Sequence, residues 1–110
     1  MPVANPYAED LGKREPVEAL GDTADRIRQL VTPWSNDQCE RSYAPGKWSA
    51  RLILVHLAQT ELALSTRARF ALAQPGYTAQ AFSQDDWMPI DHGTDARTAL
   101  TAYTPPSRAI

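Results

Sequence analysis

Only one cysteine, Cys39, occurs in the 110 residues, so no disulfide can close within the chain. With no histidine spaced to pair with it, a lone thiol is a poor nucleophile, and Cys39 reads as a small surface or half-buried residue. Long apolar runs are missing as well. Nothing approaches the ~20 consecutive apolar residues that span a bilayer, and the first twenty residues lack the basic-then-apolar order of a leader. The expectation is a cytoplasmic protein with no membrane partner. Neither sign of charge predominates: 11 Lys and Arg stand against 13 Asp and Glu, for a net charge of −2, and the two signs are mixed along the chain. That leaves no electrostatic footprint for nucleic acid or an anionic surface. Histidine is scarce too, with His56 and His92 alone, whereas a catalytic zinc ordinarily takes three protein ligands and a water. HExxH, a glycine-rich phosphate loop, GxSxG and CxxC are all absent.

What the sequence does contain is helix, punctuated by nine prolines. Its length suits a single domain. The expected organisation is a lead-in over 1–15, a helical bundle over 16–104 and an irregular tail over 105–110. From Pro16 to Val31 the apolar residues Val17, Leu20, Ala24, Ile27 and Val31 step by three and four, drawing one stripe along a helix. Pro16 suits its first turn, where a missing N–H is no loss. Thr32-Pro33 breaks the pattern, and Ser35 is placed to cap a short turn through Cys39.

A second long helix is expected from Ala50 to about Ala73, with Ser49 as N-cap and Gln74-Pro75-Gly76 as the stop. Trp48, just before the cap, is placed to pack back on the first turn. The leucines of this helix point in nearly every direction, which suits a central helix touched from several sides. At about 100° per residue, Leu52, Ile53, His56, Thr60 and Ala63 share one face. On spacing alone His56 is either a hydrogen-bonded core residue or a ligand. Glu61 is turned about 140° away from it and reads as a polar residue at a helix boundary. Tyr77 to Asp91 reads as a loop, with Asp85 and Asp86 solvated. His92, in Asp91-His92-Gly93, reads as a surface residue. A third helix should start near Thr94 or Asp95 and end before Pro105, because the residue before a proline is pushed out of the α region.

The run Tyr43-Ala44-Pro45-Gly46-Lys47-Trp48-Ser49, followed by His56-Leu57-Ala58-Gln59-Thr60-Glu61, resembles the DinB-like superfamily. Arg67-Ala68-Arg69 and Ser83-Gln84-Asp85-Asp86-Trp87 are similar to it too, and the likeness covers roughly Pro6 to Tyr103. The resemblance implies an all-α four-helix bundle in which the histidine matching His56 is one of three ligands to a divalent metal such as zinc or nickel. The other two come from a later helix as HxxxH, which sets both imidazoles on one face. It also implies a metal-dependent thiol transferase using a low-molecular-weight thiol, or a hydrolase. In such chemistry the metal lowers the pKa of a bound thiol or water.

That later helix has no counterpart in these residues. The expected fold is therefore an incomplete bundle of two long helices, a short third and no fourth, truncated before the rest of the metal site. Three readings follow from this. The chain is a metal-binding half that is inactive alone, a helical module that self-associates as a homodimer without chemistry, or a non-functional fragment.

Overall fold

The computed structural model describes residues 12–104. The tail expected over 105–110 and most of the lead-in over 1–15 lie outside the described residues. Among the described residues every regular element is helical: α1 (Pro16–Val31), α2 (Asn36–Cys39), α3 (Ala50–Ala73), α4 (Gln84–Trp87), a 3-10 turn (Met88–Ile90) and α5 (Ala96–Tyr103). The all-α expectation therefore holds, with two long helices and a shorter one. None of these helices is long and apolar enough to cross a membrane.

Each helix starts where a side chain satisfies a backbone N–H that the first turn leaves unpaired. Glu15 accepts the Glu18 N–H at 2.7 Å ahead of Pro16. Ser35 and Gln38 close a reciprocal capping box over α2, the Gln38 N–H donating to Ser35 Oγ at 3.1 Å and the Ser35 N–H donating back at 2.7 Å. Ser49 caps α3, and Asp95 caps α5 by accepting the Thr98 N–H at 2.7 Å. The stretch expected to be loop is partly helical. Ser83 accepts the Asp86 N–H and starts α4, which continues into the 3-10 turn.

Packing concentrates between α3 and α5. The core gathers Val31 from the end of α1, Cys39 from α2, Leu54 and Val55 from α3, Met88 from the 3-10 turn, and Ala96, Ala99 and Leu100 from α5. Cys39 is thus a core residue, 3% exposed, rather than a surface one. Its small apolar side chain fits where α2 closes on the bundle.

The α1 stripe is only partly used. Ala24 and Val31 are buried and Ile27 packs against the core, but Val17 and Leu20 are each 72% exposed. Periodicity fixes the face a helix offers, not whether a neighbour reaches its far end. The near end is tied down by Arg28, whose guanidinium donates to the Thr104 carbonyl at 2.5 Å and to Thr104 Oγ1 at 2.7 Å. Arg97 adds a bond to the Thr32 carbonyl at 3.3 Å.

Candidate functional site

Pro45-Gly46 turns the chain into α3, with Gly46 at φ +78°, a left-handed conformation that favours glycine. The turn sends Trp48 back over the second turn of α3, where its ring lies 5.3 Å from that of His56, tilted by 49°. Phe82, one residue before the Ser83 cap, stacks with the imidazole at 6.5 Å, with the rings 15° from parallel. Trp87 meets Phe82 edge-on at 4.8 Å. The imidazole therefore stands half-buried beside two aromatic rings, each one residue ahead of a helix cap.

Inside this setting Nδ1 of His56 is buried and has no hydrogen-bond partner. One turn along, Thr60 Oγ1 is in the same condition, as is Gln59 Oε1. An unpaired buried polar atom costs about 1–3 kcal/mol, so three within five residues of one helix mark an unusual place in the molecule. Gln59 is 4% exposed, and its amide nitrogen donates to the Trp87 carbonyl at 2.8 Å and to Asp91 Oδ2 at 2.9 Å. Both partners are acceptors, which fixes the NH2 end toward them and leaves the oxygen without a donor.

The other sequence candidates do not join His56. The His92 ring is exposed, and its carbonyl, like that of Thr94, accepts from Arg51, at 2.5 and 3.1 Å respectively. Arg51 also pairs with Glu40 through its Nε. Asp85 and Asp86 are exposed in the first turn of α4, and Glu61 is exposed beside a cleft between α3 and α5. Cys39 is taken up by the core. Sequence reasoning missed Gln59. Its spacing of four from Val55 and from Ala63, both buried, was the signal available.

His56 thus has one buried ring nitrogen without a hydrogen-bond partner. Among the described residues no three His, Cys, Asp or Glu side chains gather to hold an ion.

Comparison with known proteins places these features in context. The family model for the DinB superfamily matches residues 19–109. A protein of Oceanobacillus iheyensis named "putative metal-dependent hydrolase" is 27% identical over 62 residues, 56% of this chain and 36% of that protein. The chain thus spans about a third of the length of that curated relative. No solved structure matches.

Proposed function

The chain belongs to the DinB superfamily, and from that premise we propose that it carries one arm of a divalent-metal site, His56, in a metal-dependent hydrolase or thiol transferase. The remaining ligands come from outside the described residues, and the expected affinity of the described residues for zinc or nickel is weak. The observation that carries this reading is the buried Nδ1 of His56, which has no hydrogen-bond partner and whose ring lies against Trp48 and Phe82. The name of the Oceanobacillus protein supports metal-dependent hydrolysis as the reaction class. A low-molecular-weight thiol remains the alternative co-substrate.

Nickel(II) titrated into the chain tests the assignment, because a paramagnetic ion broadens the ring signals of the imidazole it visits. The His56 signals should broaden before those of His92, with weak affinity, and His56→Ala should abolish the preferential effect. Preferential broadening of His92 would remove His56 from the site. Near-stoichiometric zinc or nickel retained through purification would show that the chain needs no further ligands. A second reading, a helical association module without chemistry, draws on the exposed Leu62, Leu64 and Leu72 of α3.

A further inference from the structure

A cleft of about 470 Å³ runs between α3 and α5, within the ~300–1,000 Å³ range of small-molecule sites. His56 does not line it. We propose that this cleft binds a small organic ammonium, a primary alkylamine with a short apolar body.

The charge and hydrogen-bonding character of the walls select that class. Val55, Leu62 and Ala99 supply an apolar surface, and Trp87 lines the cleft beside them. The two charged residues that line the cleft, Glu61 and Asp91, are both acidic, and no Lys, Arg or His lines it among the described residues. Gln59 contributes the independent signal. Its side chain lines the cleft at 4% exposure, its NH2 is committed to Trp87 and Asp91, and its carbonyl oxygen lacks a donor.

An ammonium brings several N–H donors on one small head, matching a wall whose two charged groups are acceptors. Asp91 uses Oδ2 toward Gln59, which leaves the other carboxylate oxygen for the ligand. A carboxylate or phosphate would meet two like charges and no cationic donor. A neutral alcohol would fill the apolar part but forgo the charge-assisted bonds, which are about twice as strong as neutral ones.

The test is a titration of the full chain with n-butylammonium chloride, followed by the NMR signals of the Gln59 side-chain amide and the Trp87 indole. Sodium butyrate and 1-butanol serve as matched probes. Saturable shifts at both groups are expected with butylammonium, and binding of the other two should be at least about tenfold weaker, the scale of one charge-assisted bond. Asp91→Asn should weaken butylammonium by a similar factor. Ala102→Phe, at an exposed position that lines the cleft, should fill the space and abolish binding. Butyrate or butanol binding as well as the ammonium, shifts that never saturate, or an Asp91→Asn variant that binds like the unmodified chain would each overturn the proposal. If Asp91→Asn does not fold, the three-probe comparison on the unmodified chain still decides it.

Discussion

Ser49 is 8% exposed, and its hydroxyl oxygen accepts the Leu52 N–H at 3.2 Å, which closes the first turn of the longest helix. Alanine there leaves that N–H buried without a partner and should cost about 1 kcal/mol, read as a lower urea midpoint with an unchanged slope. A midpoint that does not move would remove the cap from the account. Asp95 does the same work for α5, with a charge. The Thr98 N–H bond first, and the Thr98 hydroxyl after it, hold the Asp95 carboxyl below the ordinary carboxylate pKa. Because the folded value is the lower one, the resulting stability is fully present above the unfolded pKa of about 3.9 and is lost as pH falls through the folded value. Asp95→Asn keeps a capping oxygen but no longer titrates. Over the acid range below about pH 4 the parent should therefore lose more stability than the variant. Parallel losses in paired denaturation curves would show that Asp95 does not contribute to the acid limb.

At the scale of elements, what was legible in the sequence is what is encoded locally. The bounds of α1 and α3 follow from Pro16, Ser49 and Gln74-Pro75-Gly76, where Gly76 takes φ +75°, and the structure begins and ends both helices there. The one-turn α4 escaped because four residues carry no periodicity, only a cap. The exposure of Val17 and Leu20 and the burial of Cys39 depend on contacts distant in sequence, which spacing does not reveal. The site divides the same way. His56 and Trp48 lie eight residues apart and were readable together, whereas Phe82 and the Gln59–Asp91 bond arrive from a segment about twenty-five to thirty residues further on. Arg28 is the long-range contact that holds α1. Arg28→Ala removes two charged hydrogen bonds to Thr104, itself 1% exposed, and should cost about 1.5–3 kcal/mol. Amide exchange should speed up along α1 while α3 and α5 keep their protection, since the core between those two helices does not depend on Arg28. Uniformly faster exchange in all three helices would show instead that α1 is part of one cooperative unit with them.

At the scale of the whole molecule, too much apolar surface is left uncovered for the chain to be expected to stay alone. Leu62, Leu64 and Leu72 are 61%, 51% and 90% exposed on the second half of α3, and Val17, Leu20 and Leu30 are 60–72% exposed on α1. Exposed apolar area of this kind marks an association surface or an aggregation liability, and a symmetric dimer is the simplest closed arrangement. Leu64 and Leu72 of α3, about 80° apart around the helix, offer such a surface. Light scattering over a dilution series should show a mass that rises with concentration, and Leu64→Glu with Leu72→Glu should reduce it. Both positions are exposed and outside the core, so the double variant should leave the helical signal of the dilute chain unchanged. A monomer at every concentration, melting in one sharp transition, would mean that the chain satisfies its own apolar surface and that these leucines carry no association.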